Sequence, residues 1–462
     1  MAKSLAFSNK RYYLILGDIA ILFFSLYLTL LLRYGSEFNS SLWSQHLLPF
    51  SIVIFFWLAI FYISDLYELG YRQGAISIFL KILGGSAIAG VFAVLFFYFS
   101  ADRLFSIKPQ RVLFIDLIIA IAFLYGWRLS FNQYLRSAKI ASGVLLIGFN
   151  ALAAEIIDKI LANPQLGLQL RGIIALSDNV PENYRNFIIA DSLEQLPQIC
   201  LNRKTSLIIS TVHPRENPTL LNSLFGCIPL RINFFDIATF YEKITGKVPV
   251  TTIEQIWFLE NLTAGQEKIY EHCKHIYDYS LAFILIILSL LFWPLIALAI
   301  KFSSHGPVFF IQKRVGKDGK IFEIIKFRTM VAGAEKNGPQ WAVPDDKRVT
   351  PLGRFFRKTR IDEIPQLINI LRGEMSLIGP RPERPEFVEK LQAEIPFYRE
   401  RLLVKPGLTG WAQVVGPAYG GTKEESLEKL QYDLYYIKNQ SFGLDISIML
   451  KTVKTMITRK GQ

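Results

Sequence analysis

The hydrophobic positions of this chain form long uninterrupted runs near the N-terminus and shorter runs further on. Four long runs come first, at about 12–32, 48–63, 78–99 and 112–127. Each is close to the roughly 20 residues that a helix needs to cross the hydrocarbon of a bilayer. Tyrosine and tryptophan lie at several of their ends, as they do at membrane interfaces. The pattern predicts a membrane protein with an N-terminal four-helix transmembrane bundle within residues 1–140.

Charged residues in and around these runs refine the prediction. Asp18 and Asp116 lie inside the first and fourth runs, and should face the bundle or sit near headgroup depth. Basic residues flank the bundle, and they are Lys3, Lys10 and Arg11 before it and Arg128, Arg136 and Lys139 after it. With an even number of spans, the positive-inside rule places both flanks in the cytoplasm. Three further basic residues would then lie outside, against the rule: Arg103, Lys108 and Arg111.

Between residues 141 and 251 the hydrophobic runs become shorter and alternate with helical patterns. GVLLIGFN, GIIALSD, SLIIST and RINFFD have the pattern of buried strands, which predicts an α/β, Rossmann-like domain with a parallel sheet. A dinucleotide site is a weaker hypothesis, because its fingerprint needs three glycines and only Gly148 is present. Asn150 and Ala153 occupy the other two positions, and Asp178 is placed where a ribose-binding acid could sit.

A fifth apolar run, at 279–300, follows a linker at 252–274 and contains Pro294. Proline removes one helix hydrogen bond and bends the helix axis. The run therefore predicts either a kinked span or a helix that enters the membrane, bends and returns. From residue 309 onward the chain is polar and basic, so residues 275–462 are predicted to form a C-terminal domain.

Composition narrows the class of protein. Of 462 residues, 51% are hydrophobic and 19% charged, and the formal net charge is +13. This much apolar side chain excludes disorder over most of the chain, and the length excludes a single small domain. The positive charge indicates an acidic partner, which is nucleic acid, anionic lipid or a phosphorylated substrate. Cys200, Cys227 and Cys273 form neither a zinc motif nor a disulfide framework, which fits a reducing compartment.

The C-terminal part concentrates basic residues, glycine and proline around one pair of carboxylates, Asp362 and Glu363. The basic residues are Lys313, Arg314, Lys317, Lys320, Lys326, Arg328, Arg354, Arg357, Lys358, Arg360, Arg372, Arg381 and Arg384. Arginine pairs with phosphate oxygens, glycine turns let backbone N–H groups approach anions, and a carboxylate with substrate phosphates can hold Mg²⁺. A second carboxylate can attack phosphorus. A helix N-terminus also favours such an acidic pair before Pro365, and the two roles are compatible.

Five blocks in order carry a specific resemblance: GPVFFIQKRVG, IFEIIKFRTM, RIDEIPQLINILRGEMSLIGPRPERPEF, KPGLTGWAQV and YDLYYIKNQS. Residues 278–462 resemble the bacterial sugar transferases that move a sugar phosphate onto a polyprenyl phosphate, the monotopic phosphoglycosyl transferases. The N-terminal part resembles the large members of that family, with four spans and a Rossmann-like domain. The resemblance implies a mainly α catalytic domain. It implies a UDP-sugar, undecaprenyl phosphate and membrane lipid as partners, and a homodimer, with no nucleic acid.

The resemblance also implies roles for single residues. Asp362 matches the carboxylate that attacks the β-phosphate of the UDP-sugar and releases UMP, leaving a phosphosugar-aspartate that the polyprenyl phosphate then attacks. Glu363 matches the partner acid associated with Mg²⁺. The predicted phosphate- and nucleotide-binding residues lie in the matching blocks and are Arg314, Lys326, Arg328, Arg381, Pro382 and Lys405.

The location of the donor predicts how the fifth run meets the membrane. Nucleotide sugars are cytosolic, and four spans from a cytosolic N-terminus also place residue 140 there. A full crossing would put the basic domain outside, so a re-entrant helix at 276–301, broken at Pro294, is predicted. The well-known small members break at a Ser-Pro pair, whereas this chain has Trp293 before Pro294. The predicted location is the bacterial inner membrane, multi-pass, with the catalytic domain on the cytoplasmic face.

The last segment has a helical pattern with two interpretations. Apolar residues recur at Leu444, Ile448, Met449, Val453, Met456 and Ile457, with Lys451, Lys454, Arg459 and Lys460 at other positions. Such a helix either lies on anionic lipid or packs on the core of its own domain.

Transfer of a sugar 1-phosphate, starting exopolysaccharide, capsule or O-antigen synthesis, is the leading hypothesis, with glucose and galactose as the first sugars that the resemblance implies. A membrane-anchored NAD-dependent sugar-nucleotide epimerase or dehydratase would need the missing glycines and a Tyr-x-x-x-Lys pair. A lipid-linked sugar transporter or scaffold would need many more spans, or a C-terminal part without a phosphate site.

Overall fold

The chain forms two compact units, Met1–Phe240 and Tyr241–Gln462. The computed structural model describes residues 8–67, 75–100, 105, 110–136, 141–176, 180–253, 255, 257–258, 268–334, 346, 348–417 and 422–458.

Long apolar helices open the first unit. They are α1 Ser8–Tyr34, α2 Ser40–Ile63, α3 Ala75–Ser100 and α4 Gln110–Arg136. With Ile269–Leu290 of the second unit, five described helices are long and apolar enough to cross a membrane. Leu22, Leu26 and Leu30, spaced four residues apart on α1, are buried in the bundle core. The prediction of several apolar helices at the N-terminal end is therefore confirmed.

Both carboxylates of the predicted spans face the bundle interior, as expected. Asp18 is fully buried and accepts hydrogen bonds from Arg128 at 2.5 Å and from the Tyr67 hydroxyl at 2.8 Å. Asp116 accepts a hydrogen bond from the Ser25 hydroxyl at 2.5 Å. Arg128 was predicted to flank the bundle at a membrane end, but it is buried in this ion pair with Asp18.

Several other flanking residues lie outside the described part of the chain, and they are Lys3, Arg103, Lys108 and Lys139. The orientation of the bundle therefore stays a prediction.

An α/β domain with one parallel sheet completes the first unit. The strands are β1 Ser142–Ile147, β2 Leu168–Ile174, β3 Ile188–Ala190, β4 Thr205–Ser210 and β5 Asn233–Asp236. The helices between the strands are Ala151–Ala162, Glu182–Arg185, Leu196–Asn202 and Pro218–Gly226, and the helix Ile237–Thr245 follows β5 and continues past Phe240, the last residue of this unit. The strand order is β3-β2-β1-β4-β5, and every neighbouring pair is parallel. The parallel sheet is confirmed, but the short edge strand β3 was not predicted.

The turn after β1 is filled by the side chains of its own domain. Gly148 has φ +77°, and a Cβ there would lie 2.1 Å from the Thr211 hydroxyl oxygen, so only glycine fits. The Asn150 side chain accepts a hydrogen bond from the Ala153 N–H at 2.9 Å and caps the following helix. One N–H group that would face a pyrophosphate is therefore already bonded, which weighs against a dinucleotide site. Asp178 lies outside the described residues.

The second unit is mainly helical and has two small sheets. Its helices are Lys268–Leu290, Trp293–Ser303, Pro351–Thr359, Gln366–Leu371, Pro385–Glu394, Trp411–Val415, Lys423–Lys438 and Phe442–Thr458. The strands β6 Phe309–Val315 and β7 Ile321–Phe327 form an antiparallel hairpin, and β8 Ser376–Ile378 pairs in parallel with β9 Gly407–Thr409. The predicted helical C-terminal part is confirmed.

The fifth apolar run is divided into two helices, which we call the first arm (Lys268–Leu290) and the second arm (Trp293–Ser303). Pro294 lies in the first turn of the second arm, where an absent N–H leaves no helix bond unmade. Ser289 bonds across the break: its carbonyl oxygen accepts from the Phe292 N–H at 2.9 Å, and its hydroxyl from the Trp293 indole at 3.2 Å. The freed polar groups at this break are therefore partly satisfied by Ser289.

The last helix, Phe442–Thr458, packs on the core of its own unit through its first half, and its placement on lipid stays a prediction. Ile448 is fully buried, and Leu444 and Met449 pack against the core of the second unit. Val453 and Met456 remain exposed. Its first half is therefore a core helix, while its second half presents apolar side chains outward. The side chains of Ile457, Arg459 and Lys460 lie outside the described part.

Candidate active site

Asp362 and Glu363 lie in a 3-10 turn between two short helices. The turn, Ile361–Glu363, follows the helix Pro351–Thr359, and Pro365 caps the next helix. Both acidic side chains are buried, with 7% of each residue's surface exposed. The pair thus stands just before a helix N-terminus, but it is removed from water, which a simple capping role does not require.

Three cations converge on one oxygen of Glu363. Its Oε1 lies 2.9 Å from Arg381, 3.4 Å from Arg360 and 3.7 Å from Lys326. Burial alone would raise the pKa of Glu363, but these three cations outweigh it and hold the pKa well below its usual range. Glu363 is therefore an anion at neutral pH.

Asp362 has a different environment from its neighbour. Burial, followed by the charge of Glu363, raises the pKa of Asp362 above its ordinary value, although nearby cations oppose the shift. Asp362 Oδ1 is buried and has no hydrogen-bond partner among the described residues. Two adjacent carboxylates whose pKa values are pushed apart suit two different chemical roles.

Lys326 is held beside the pair by Asn369. Lys326 is on β7, and the neighbouring Ile325 N–H donates to the Asn369 side-chain oxygen at 3.1 Å. The Asn369 amide donates in turn to the Glu323 carbonyl oxygen at 2.7 Å. Burial lowers the pKa of Lys326 to about 8, with Glu363 acting in the opposite direction. Sequence reasoning missed Asn369, whose signal was a polar residue between two isoleucines, Ile368 and Ile370.

The loop that carries Arg381 is fixed by close backbone contact with the KPGLTG block. Gly379 N–H donates to the Thr409 carbonyl oxygen, and Gly407 N–H donates to the Pro380 carbonyl oxygen, both at 2.9 Å. A Cβ on Gly407 would lie 2.1 Å from the Gly379 nitrogen. The two glycine-containing blocks therefore form one support for Arg381, which explains their glycines better than direct phosphate contact does.

Two arginines brace this loop from behind. Arg401 donates to the Arg381 carbonyl oxygen at 3.0 Å and forms an ion pair with Asp433 at 2.8 Å. Arg314 donates to the Pro382 carbonyl oxygen at 3.0 Å. Neither Arg401 nor Asp433 was a predicted site residue.

The remaining predicted residues lie at different distances from the pair. Lys326 and Arg381 contact Glu363 directly. Arg314 donates a hydrogen bond to Pro382, which is the residue after Arg381. Arg328 donates to the carbonyl and hydroxyl oxygens of Ser304, at 2.6 and 2.9 Å, and so holds the end of the second arm. The phosphate contacts of Arg314, Arg328, Pro382 and Lys405 stay predictions.

Lys405 lies beside Gly373, where a Cβ would be 3.7 Å from its Nζ. Burial lowers its pKa. Within the described residues, the salt bridges to Glu363 come from Lys326, Arg360 and Arg381 and not from Lys405.

The donor set fits Mg²⁺ only as a partner of a phosphate ligand. Within the described ranges there is no group of three or more His, Cys, Asp or Glu that could hold a metal ion. Mg²⁺ usually takes one or two carboxylates together with substrate phosphates and water. The unpartnered Asp362 oxygen and the ionised Glu363 are donors of this kind. They suit a magnesium ion that binds together with a diphosphate.

The second unit matches a known protein family. A family model described as "Bacterial sugar transferase" matches residues 269–459. Over 241 residues, 52% of this chain and 55% of the relative, the chain is 42% identical to the UDP-N-acetylgalactosamine-undecaprenyl-phosphate N-acetylgalactosaminephosphotransferase of Aeromonas hydrophila. Over 300 residues, 63% and 62% of the two chains, it is 33% identical to the UDP-glucose:undecaprenyl-phosphate glucose-1-phosphate transferase of Klebsiella pneumoniae.

A shorter relative is matched over most of its length. The chain is 36% identical over 193 residues, 41% of this chain and 89% of the relative, to the uncharacterized sugar transferase EpsL of Bacillus subtilis (strain 168). The chain spans 55% and 62% of the length of the two longer relatives.

Proposed function

Because the chain belongs to the bacterial sugar transferase family, as its five sequence blocks predicted, we propose that it transfers a sugar 1-phosphate from a UDP-sugar to undecaprenyl phosphate and releases UMP. Two relatives are named for such transfers, one of N-acetylgalactosamine phosphate and one of glucose 1-phosphate. The observation that best supports the proposal is the buried carboxylate pair. Glu363 forms ion pairs with three cations, and Asp362 has a buried oxygen with no hydrogen-bond partner among the described residues. The epimerase and transporter hypotheses gain no support from these findings.

The reaction proceeds in two displacements. An oxygen of Asp362 attacks the β-phosphorus of the UDP-sugar, the bond from that phosphorus to the bridging oxygen breaks, and UMP leaves with the electron pair. The polyprenyl phosphate oxygen then attacks the same phosphorus, which releases Asp362 as a carboxylate and completes a lipid diphosphosugar. Lys326 and Arg381, which both contact Glu363, would neutralise charge on the phosphates.

Asp362 and Glu363, with the diphosphate, are the groups that would hold Mg²⁺. When bound, the ion supplies positive charge to the diphosphate and to the departing UMP. Activity should therefore be lost with a chelator and regained with Mg²⁺.

The two arms form a re-entrant segment at the membrane. In the first arm, Asp278 accepts hydrogen bonds from the Ser376 hydroxyl at 2.7 Å and the Leu377 N–H at 3.1 Å. Only residues 279–290 of that arm extend beyond Asp278, about 18 Å of helix at 1.5 Å per residue. This is much less than the ~30 Å of hydrocarbon in a bilayer.

The second arm returns to the same folded part. Ile300 is buried in one cluster with Phe327 and Phe356, and the Trp293 ring packs on Phe309 and Phe327. On either side of Trp293, Leu288, Leu291 and Leu295 are exposed, as a segment in lipid requires. Both ends then share the cytoplasmic face of the bacterial inner membrane, where UDP-sugars are found. Assembly as a homodimer and a role in starting polysaccharide synthesis belong to the same proposal.

The test uses the full chain in detergent micelles with undecaprenyl phosphate, Mg²⁺ and a panel of UDP-sugars that includes UDP-glucose, UDP-galactose and UDP-N-acetylgalactosamine. At least one donor should release UMP and carry radiolabelled sugar into the lipid fraction. Asp362→Asn should abolish both signals. Conversion of the UDP-sugar without UMP release would contradict the proposal and favour an epimerase.

A further inference from the structure

The first arm carries two polar side chains at its base that the carboxylate pair does not use. His275 and Tyr279 are one helical turn apart, with ring centroids 6.5 Å apart, and both residues are exposed. They lie on either side of Asp278, where the arm is attached to the folded part of the second unit. Tyrosine is common at membrane interfaces, and the proposed re-entrant segment enters lipid just beyond Asp278. His275 and Tyr279 are therefore placed at headgroup depth.

Lys405 reaches the same place from the KPGLTG block. A Cβ on Gly373 would lie 2.9 Å from the Tyr279 hydroxyl oxygen and 3.7 Å from Lys405 Nζ. The absence of a side chain at Gly373 therefore leaves a space that both polar groups border. Among the residues that the structure describes, neither the Tyr279 hydroxyl nor the Lys405 ammonium group has a hydrogen-bond or ion-pair partner.

Lys317 adds a further cation to this place. It begins the turn Lys317–Gly319 of the β6–β7 hairpin, which contacts the turn Tyr398–Leu403 that ends shortly before Lys405. Lys317 and Lys405 both act electrostatically on His275, and Lys317 acts on Lys405. The fold thus brings basic residues from three separate segments together.

We call His275, Tyr279, Lys317 and Lys405 the basal cluster. Asp278 is the carboxylate that acts electrostatically on both His275 and Lys405. It is buried, and its two oxygens accept hydrogen bonds from other groups, so it makes no salt bridge with either residue among those described. Like charges held close together repel one another, and a bound anion would relieve that repulsion.

A phosphate is the anion that suits the basal cluster. Lysine binds phosphate as a point charge, and a tyrosine hydroxyl can donate to a phosphate oxygen. The cluster also adjoins the active-site loop. Two residues after Lys405, the Gly407 N–H donates to the carbonyl oxygen of Pro380, the residue before Arg381. A phosphate in the cluster would therefore lie at headgroup depth and beside the loop that supplies a cation to Glu363.

We propose that the basal cluster binds the phosphate headgroup of the polyprenyl phosphate acceptor. This headgroup is a phosphate monoester, which carries more negative charge near neutral pH than the phosphodiester of a common phospholipid, and a cluster of several cations favours it for that reason. The inference rests on the proposed function and names residues that hold its lipid substrate. It assigns Lys405 to the acceptor instead of the nucleotide sugar.

The test compares Lys405→Gln with the wild-type full chain in a neutral detergent without phospholipid, using the UDP-sugar that supports UMP release. Loss of a charged hydrogen bond to phosphate should raise the KM for undecaprenyl phosphate about tenfold, with the KM for the donor nearly unchanged. Adding Lys317→Gln should raise the acceptor KM further. Lys405→Arg, which keeps the charge, should stay close to the wild type. The burst of UMP released from donor alone should be unchanged in all three, because that step does not involve the acceptor.

Lys390→Gln is the matched control, because the Lys390 side chain is 68% exposed and its contact with Glu394 is 4.0 Å long. Its kinetics and its thermal midpoint should equal those of the wild type. Thermal midpoints of the other variants show that they are folded.

An unchanged acceptor KM in the folded double variant would overturn the inference while leaving the proposed function intact. A rise in the donor KM equal to that for the acceptor would also overturn it, by returning Lys405 to the donor site. The same assays in phosphatidylcholine vesicles with and without phosphatidylglycerol separate the acceptor from bulk lipid. A kinetic defect confined to the vesicles with phosphatidylglycerol would overturn the assignment to the acceptor. Absence of UMP release by the wild type would instead reject the proposed function.

Discussion

Arg401 joins Asp433 to the backbone of Arg381. One guanidinium nitrogen of Arg401 lies 2.8 Å from an Asp433 carboxylate oxygen and donates to the Arg381 carbonyl oxygen at 3.0 Å. Both charged side chains of the pair are buried. Arg381 in turn reaches Glu363 with its side chain, so this buried pair positions the loop that carries a cation of the site.

Replacing Asp433 with Asn should weaken both the fold and the site. Removing one partner of a buried ion pair leaves an uncompensated charge and typically costs about 3–5 kcal/mol. We expect a lower thermal midpoint and a UMP release rate reduced at least tenfold in the fraction that stays folded. Thermal unfolding and UMP release of the purified variant measure these two effects.

Glu428→Gln is the matched control on the same helix, Lys423–Lys438. Glu428 pairs with Lys247 at 2.9 Å, but its side chain is 40% exposed. Exposed pairs contribute about 0–1 kcal/mol, so this variant should resemble the wild type. Equal behaviour of the two variants would show that Arg401 and Asp433 do not position the loop.

The pH dependence of UMP release should reflect Lys326 and Asp362. Because burial lowers the pKa of Lys326 to about 8, this lysine loses its charge as the pH rises through that value. The kcat/KM for the donor, which reports the free enzyme, should therefore fall above about pH 8. Because the pKa of Asp362 is raised, kcat/KM should also fall on the acid side at a higher pH than for an ordinary aspartate.

The variant Lys326→Arg distinguishes the alkaline decline in kcat/KM from the acid decline. Arginine keeps its proton throughout this range, so the alkaline decline should disappear while the acid limb remains. The absolute rate should be lower, because arginine is bulkier at a buried position. If kcat/KM of the variant still fell above pH 8 as it does in the wild type, the alkaline decline would be due to a group other than Lys326.

The broken apolar segment predicts that its two ends lie on the same side of the membrane. Cys273 of the first arm is exposed, whereas Cys200 and Cys227 are buried, so Cys273 is a native probe. Lys301→Cys in a Cys273→Ser background probes the end of the second arm. Both cysteines should react with a membrane-impermeant maleimide in inverted vesicles and stay unreacted in intact spheroplasts.

Ser36→Cys, also in the Cys273→Ser background, is the control for the outer side. Ser36 is exposed between α1 and α2, where the four predicted spans place the outside. It should react in intact spheroplasts. Labelling of the residue 301 cysteine in those spheroplasts would mean that the segment crosses the membrane completely.

Local patterns in the sequence predicted the elements and the two carboxylates. The long apolar runs are helices in the structure, and the short ones are strands of a parallel sheet. Both were predictable because the formation of a helix or a strand depends largely on residues that are neighbours in the sequence. Asp362 and Glu363 were recognisable as adjacent acids in a basic segment. The edge strand β3 has only three residues, Ile188–Ala190, too few to show a pattern.

Pairs of residues distant in the chain were not predictable in the same way. Asp433 is 32 positions from Arg401, and each alone resembles an ordinary charged residue on a helix. Arg128 is 110 positions from Asp18, and its position near the end of an apolar run suggested a flanking charge. Only the tertiary fold brings such partners together and buries them.

Intact-protein mass spectrometry after incubation with donor alone tests the central claim most directly. With the productive UDP-sugar, Mg²⁺ and no polyprenyl phosphate, the protein should gain the mass of one sugar phosphate, and peptide mapping should place it on Asp362. Asp362→Asn should gain no mass, while Glu363→Gln should gain it slowly. A wild-type protein that releases UMP without an adduct, or with the adduct on another residue, would contradict the covalent mechanism.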